Sequence, residues 1–260
     1  MKKIVIIFLV LTCLLVSLFL NSIKTSGDLV LVGGGKIHPS ILRWVFDRKP
    51  KGKILLVNND GIASYKWDEL FLSGNIVQVI LPEQLTIAKL TGVGALFIDG
   101  GHQYEHLRRL NASVIQHAHE HGILILGTSA GAMILGEFYF SAQHGGITSE
   151  EANANPNERR VCVDSNFLKI KVLKNTLIDS HYAERERQGR LQVFLEKGSK
   201  HGLYKGIGID ESTALCIKGN LESEVIGAGG VHFVTKSIQG NSHISLYQDG
   251  TSSNSHLPER

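Results

Sequence analysis

The sequence predicts one α/β domain built on a mostly parallel sheet with helices on both faces and short strands toward the C-terminus. Three observations carry this. Apolar runs of four or five residues recur without the polar alternation of a half-exposed strand, as strands covered on both faces require. Amphipathic stretches of helical length lie between them, the order expected of a sheet covered on both sides. The composition agrees: of 260 residues, 43% are hydrophobic and 20% charged, with 28 Gly and 5 Pro, which excludes disorder, collagen and coiled coil. A chain of this length buries roughly three quarters of its unfolded surface, so no metal or disulfide framework is needed to stabilise it.

Residues 1–26 are set apart from the domain. Lys2 and Lys3 precede an apolar run from Ile4 to Leu20, broken only by Thr12 and Ser17, which reads as the charged and hydrophobic regions of a secretory signal. The small residues that follow include no A-x-A cleavage pattern. As a helix the run spans about 25 Å, slightly less than a hydrocarbon core, so an uncleaved anchor stays open. Either outcome places the domain outside the cytoplasm, secreted or periplasmic. Cys13 lies inside the run and reads as an apolar filler. The net charge of +3 derives from Lys2, Lys3 and Lys24; the remaining 24 basic residues balance the 24 acids, so nothing global favours a nucleic-acid partner.

The elements follow in order. Leu29-Val30-Leu31-Val32 ends in Gly33-Gly34-Gly35, and Lys53-Ile54-Leu55-Leu56-Val57 ends in Asn58-Asn59-Asp60-Gly61. A third run, residues 77–81, stops at Pro82. Ala95-Leu96-Phe97-Ile98 leads into Asp99-Gly100-Gly101, and residues 123–126 lead into Gly127. Helical spacing of Tyr104, Leu107, Leu110, Val114, Ile115 and Ala118 predicts one helix over residues 104–121, stopped by Gly122. The polar stretch 143–160 is expected to be a loop. From Gly206 onward short apolar runs alternate with Gly and Asn, predicting closing strands or hairpins. Residues 241–260 are expected to be a strand remnant and polar tail, unstructured from Asp249. With no repeat or linker, residues 27–240 read as a single domain. Cys162 and Cys216 both sit in strand-like runs, and their pairing is left open.

Chemistry concentrates at Gly127-Thr128-Ser129-Ala130-Gly131-Ala132. A G-x-S-x-G between a buried strand and a helix is the context of a nucleophile elbow, in which a tight turn exposes the serine hydroxyl at the carboxyl edge of the sheet. The helix start behind it offers free N–H groups to an oxyanion. A second donor can come from Asp99-Gly100-Gly101. Among the 12 histidines, His117, His119 and His121 read as a solvated helix flank rather than metal ligands, because only His117 and His121 share a face. His181 is different: it follows the apolar run 176–179 and emerges on the same edge as Ser129.

Four blocks then carry a resemblance: the elbow; Gly100 to Gln103; the Asp-x-His-x-x-x-Arg-x-Arg-x-x-Arg-Leu pattern from Asp179 to Leu191; and Gly206-Ile207-Gly208-Ile209-Asp210-Glu211-Ser212-Thr213-Ala214-Leu215. In this order, over residues 29–235, the chain resembles cyanophycinase-like members of the peptidase E family of serine peptidases. The resemblance implies a flavodoxin-like sheet related to class I glutamine amidotransferases. It implies Ser129 as nucleophile, His181 as base and then acid, and Glu211 as the carboxylate that orients the imidazole, with Asp210 the adjacent alternative. Backbone N–H groups of Gly101 and Ala130 would form the oxyanion hole; Gln103, Asp179, Arg185, Arg187 and Arg190 would line the substrate pocket. No cofactor or metal is implied. The expected substrate is a peptide or a cyanophycin-like polymer, cleaved at aspartyl bonds to release dipeptides such as β-Asp-Arg. A homodimer is left open, and a membrane partner is expected only for an uncleaved N-terminus.

Two positions depart from the family pattern: His102 stands where it has Asp, and Ser180 where it has Gln. Both put the β-Asp-Arg preference in question. Two other readings compete. An α/β-hydrolase-type esterase would use Ser129, Asp210 and His232 in that chain order; a non-catalytic relative would bind peptide without turnover.

Overall fold

The computed structural model describes residues 26–62, 67, 70, 73–236 and 242–253. The signal-like segment with Cys13, and residues 254–260 of the tail, lie outside the described residues. Among the described residues, no helix is long and apolar enough to cross a membrane.

Leu29–Val32 (β1), Lys53–Val57 (β2), Val77–Ile80 (β3), Val93–Ile98 (β4) and Leu124–Thr128 (β5) form the parallel part of an eight-stranded sheet in the order β1-β5-β4-β2-β3. β1, β2, β4 and β5 are the continuous apolar runs of the sequence, whereas β3, at the sheet edge, carries Gln78 and is half-buried over Val77–Val79. The reason is visible in the packing. Leu29 and Leu31 enter one hydrophobic cluster while Val30 and Val32 enter another on the opposite face. Helix α1 (Pro39–Arg48) covers the second face through Ile41, Leu42 and Val45, and α3 (Ala112–Glu120) covers the first through Val114, Ile115 and Ala118. Past β1 the sheet continues antiparallel through Thr213–Ile217 (β10), Ser223–Gly227 (β11) and Ser252–Ser253 (β14).

A second, six-stranded sheet accompanies it, with Thr176–Ser180 (β8) flanked in parallel by Phe138–Phe140 (β6) and Lys205–Ile209 (β9). Val163–Ser165 (β7), Gly230–Lys236 (β12) and Ser242–Gln248 (β13) complete it antiparallel. Helix α6 (Gln188–Gly198) packs on this sheet, Leu191 and Phe194 sharing a cluster with Leu177 and Val234. Ile178, Ile207 and Ile209 join the cluster that holds Leu29 and Leu31, so one core links the two sheets. The α/β class with helices on both sheet faces stands, with the C-terminal strands shared between two sheets.

Four local expectations are corrected. The single helix over residues 104–121 is two: α2 (Gln103–Arg109) and α3, because Leu110 is extended (ψ 139°) and the Asn111 side chain accepts from the Ser113 N–H to cap a new start. His119 is buried rather than solvated. The supposed loop 143–160 contains helix α5 (Ser149–Ala154), nucleated by a capping box in which Thr148 Oγ1 accepts from the Glu151 N–H and Glu151 from the Thr148 N–H. The tail is ordered further than expected: β13 pairs along its length with β12, and β14 pairs with β11. Both described cysteines, Cys162 and Cys216, are free thiols.

The α5 cap gives a first expected result. Thr148→Ala removes the acceptor for the Glu151 N–H and should cost about 1 kcal/mol, read as a lower denaturant midpoint at unchanged slope; an unchanged midpoint would show that the box contributes nothing.

Candidate active site

β1 and β5 end side by side, Val32 opposite Thr128, and the Ser129 N–H donates to Val32 O at 2.9 Å. Ser129 itself sits at φ 53°, ψ −120°, a strained conformation for a residue with a Cβ. The flanking glycines have specific causes. A Cβ at Gly127 would stand 2.5 Å from Gly131 O, and one at Gly131 would stand 2.2 Å from Ile98 O at the end of β4. Small residues therefore let helix α4 (Ala130–Met133) start directly against two strands. The Ala130 N–H heads this helix, where an amide has no intrahelical acceptor.

Opposite Ser129, β8 of the second sheet delivers His181. Its N–H donates to Gly33 O at 2.7 Å, which ties the end of β8 to the end of β1 and so joins the two sheets at the site. Gly34 runs beneath the imidazole at φ 104°; a Cβ there would be 2.3 Å from His181 Cε1. Gly35 is likewise required by Glu211, whose Oε2 would lie 2.8 Å from an added Cβ. The three glycines after β1 are thus the seat of the histidine and its carboxylate.

The side chains form a continuous line. Ser129 Oγ is 2.7 Å from His181 Nε2, and His181 Nδ1 is 2.5 Å from Glu211 Oε1. A carboxylate only accepts, so Nδ1 carries the ring proton and Nε2 accepts from the serine hydroxyl. Both Glu184 carboxylate oxygens accept from the Glu211 N–H at 3.1 Å, fixing the acid from behind. Burial holds the His181 pKa below its ordinary value; the Glu211 hydrogen bond opposes the shift, and the guanidinium charges of Arg185 and Arg187 reinforce it.

The sign of this shift makes a second expected result. A histidine that serves as general base must be neutral, so with His181 in that role kcat/KM should rise with pH through an acid limb lying below 6.5, the ordinary value of the ring. Arg185→Gln removes one charge that disfavours the imidazolium and should move that limb upward. A limb that stays in place would show that Arg185 is not felt at the ring.

The loop after β4 is braced from several sides. Asp99 accepts from Asn58 Nδ2 at 2.8 Å and from the Gly100 N–H at 2.6 Å. His106, buried and with its pKa pushed down by that burial, reaches Asp99 O at 3.0 Å through Nε2. Gly101 takes φ 125° against the Asn59 side chain, where a Cβ would lie 2.8 Å from Nδ2. Gln103 Nε2 reaches Met133 Sδ at 3.3 Å, and His102 is exposed.

The residues expected to line the pocket separate into two groups. Asp179 is fully buried, and Arg190 is 3% exposed. Arg190 donates to Asp179 through Nε at 2.8 Å and Nη2 at 2.5 Å and to Ile147 O at 3.0 Å, and lies over the Phe140 and Phe194 rings. Arg187 reaches Asp179 at 3.0 Å and Ser180 O at 2.7 Å through Nη1; burial lowers its pKa to about 10. Asp179 and Arg190 therefore satisfy each other inside the fold and present no free fork to a ligand. Ser180 is turned inward too, its hydroxyl on Met133 Sδ at 3.2 Å. Arg185 is exposed beside the histidine.

Asp210 points away from His181 and pairs instead with His232 at 3.2 Å. Ser129 is bonded to His181, so the Ser129–Asp210–His232 line required by the esterase reading is not formed. Among the described residues, no group of three or more His, Cys, Asp or Glu side chains is placed to hold a metal ion; His117 and His121 stack on each other with ring centroids 3.7 Å apart. Sequence reasoning missed Gly34, Gly35, Glu184, Asn58, Asn59 and His106. The Gly33-Gly34-Gly35 triplet was the available signal.

A serine on a strand-to-helix elbow, hydrogen-bonded to a histidine that is hydrogen-bonded to a glutamate, defines the serine hydrolase class. Comparison with known families is more particular: residues 66–224, more than half of the chain, match the model of peptidase family S51, and the chain belongs to that family of serine-type peptidases. Among solved structures, a peptidase from an acI-B1 Actinobacterium superposes with a TM-score of 0.62 at 17% identity, covering 88% of this chain and 97% of that one. A candidate peptidase E protein from Listeria monocytogenes EGD-e gives 0.51 at 17% identity, covering 78% and 98%. The two likenesses concern the fold.

Proposed function

We propose that the protein is an extracytoplasmic serine exopeptidase that hydrolyses peptide bonds at aspartyl residues, with Ser129, His181 and Glu211 as its triad. The observation that carries this reading is the unbroken hydrogen-bonded line from Ser129 Oγ through the imidazole to Glu211. Ser129 Oγ attacks the scissile carbonyl while its proton passes to His181 Nε2, and Glu211 stabilises the resulting imidazolium. The oxyanion is received by the N–H groups of Gly101 and Ala130. His181 then protonates the leaving amine, which departs and leaves an acyl-enzyme. Water that loses its proton to the same nitrogen releases the acid and restores the serine.

Arg185 is assigned to the substrate carboxylate, because it is exposed next to the base while Arg190 is committed internally; a guanidinium fork suits a carboxylate. Asp179, Arg187 and Arg190 are assigned to holding the pocket wall, and Gln103 to its rim. Cyanophycin, whose aspartyl units carry arginine, is the polymer to try first, with β-Asp-Arg dipeptides as the product. The extracytoplasmic assignment rests on Lys2-Lys3 and the apolar run behind them.

The test is mass spectrometry of products after incubation with cyanophycin and with a panel of Asp-X peptides, using Ser129→Ala as the blank. Dipeptides bearing aspartate are expected. Cleavage indifferent to aspartate would sink the specificity, and activity retained by Ser129→Ala would sink the triad. Fractionation of expressing cells tests the location.

A further inference from the structure

Asp210 and Glu211 are neighbours at the turn between β9 and β10, and successive side chains leaving a strand point to opposite sides. Glu211 goes to the His181 ring. Asp210 is buried and accepts from the Ala183 N–H at 3.1 Å through Oδ1 and from the Gly230 N–H at 2.8 Å through Oδ2. His232 Nε2 approaches the same carboxylate at 3.2 Å. The His232 ring also lies against Tyr182, centroids 4.8 Å apart. The Asp210–His232 pair therefore touches both residues that follow His181, one through its backbone and one through its ring.

This matters because the turn is strained. His181 is held at φ 47° and Glu186 at φ 49°, and a non-glycine residue keeps such a conformation only where its surroundings fix it. The fit is close on the other side as well: a Cβ at Gly229 would stand 2.7 Å from Asp210 Cβ, so glycine lets the β11–β12 turn close on the carboxylate. Among the described residues, no hydroxyl or thiol is hydrogen-bonded to His232, so this second aspartate–histidine pair has no nucleophile of its own.

We propose that Asp210 and His232 are positioning residues for His181: the carboxylate, aimed by His232, holds the Ala183 N–H while the His232 ring packs on Tyr182, and together they fix where the imidazole stands between Ser129 and Glu211. The inference rests on the triad reading above. Neighbouring acids divide the work, Glu211 orienting the ring and Asp210 the turn that carries it. An error of about 1 Å in such a placement can cost about a hundredfold in rate.

The experiment measures labelling of Ser129 in the full chain by a fluorophosphonate, with rate (kinact) and affinity (KI) separated. Asp210→Asn and His232→Ala are expected to label roughly ten- to a hundredfold more slowly, the loss falling on kinact while KI stays nearly unchanged. His232→Gln, whose amide N–H can donate to the same carboxylate, is expected to restore the rate. In a His181→Ala background, Asp210→Asn should cause no further slowing, since the group it positions is gone.

Wild-type rates in both Asp210→Asn and His232→Ala, a His232→Gln variant as slow as His232→Ala, or further slowing in the His181→Ala background would each overturn the proposal. Should Asp210→Asn fail to fold, the His232→Ala and His232→Gln pair decides alone. Absence of Ser129 labelling in the wild-type chain would instead overturn the triad reading on which the proposal stands.

Discussion

His181→Ala is expected to lower kcat by about 10⁴- to 10⁶-fold, the range for removing the base of a serine–histidine–acid unit, with binding of substrate little changed. The physical reason is that the Ser129 hydroxyl loses the acceptor at 2.7 Å that takes its proton. A less obvious substitution should approach the same loss. Gly34→Ala leaves all three triad residues in the sequence, yet its methyl would fall 2.3 Å from His181 Cε1 and its backbone stands at φ 104°. Either the ring moves off the serine or the loop after β1 is displaced; both break the line. Stopped-flow or steady-state hydrolysis of an aspartyl peptide reads both variants. A Gly34→Ala protein with wild-type kcat would show that the loop is not the seat of the imidazole.

That glycine also shows where reading the sequence succeeds and where it stops. Four of the five parallel strands, β1, β2, β4 and β5, were legible because burial on both faces leaves no polar alternation, β3 at the sheet edge being half-buried and carrying Gln78, and Ser129 was legible because an elbow needs small neighbours at fixed spacing. His181 was legible as a residue leaving the carboxyl end of a strand. What stayed hidden depends on pairings distant in sequence. Gly33-Gly34-Gly35 reads locally as a strand stop; only the β8 end, docked through the His181 N–H on Gly33 O, gives it a purpose. The Asp210 and Glu211 choice turned on which way each side chain leaves one turn. The split at Asn111 and the box at Thr148 and Glu151 were different, since both carry local capping signals that the broader helical and polar patterns overrode.

Asp179→Ala is expected to be the most destabilising single change outside the catalytic line, at about 3–5 kcal/mol and about 10 °C in Tm. Two guanidinium groups converge on this carboxylate from the turn after β8 and from α6, and it is fully buried. Removing it leaves Arg187 and Arg190 charged in a region where burial already lowers the Arg187 pKa to about 10. The cost therefore comes from the partners left behind rather than from the lost attraction alone. A cycle separates the two. Replacing Asp179 by Leu together with Arg187→Met and Arg190→Met removes every charge at once, and should cost less than Asp179→Ala despite touching three positions. Chemical denaturation measures all of these. If Asp179→Ala costs under about 1 kcal/mol, well below the range for a broken buried pair, water reaches the two guanidiniums and the network does not hold β8. If instead the triple variant is the least stable, the ion pairs themselves stabilise the fold, and the cost of Asp179→Ala is the lost attraction rather than the two guanidiniums left unpaired.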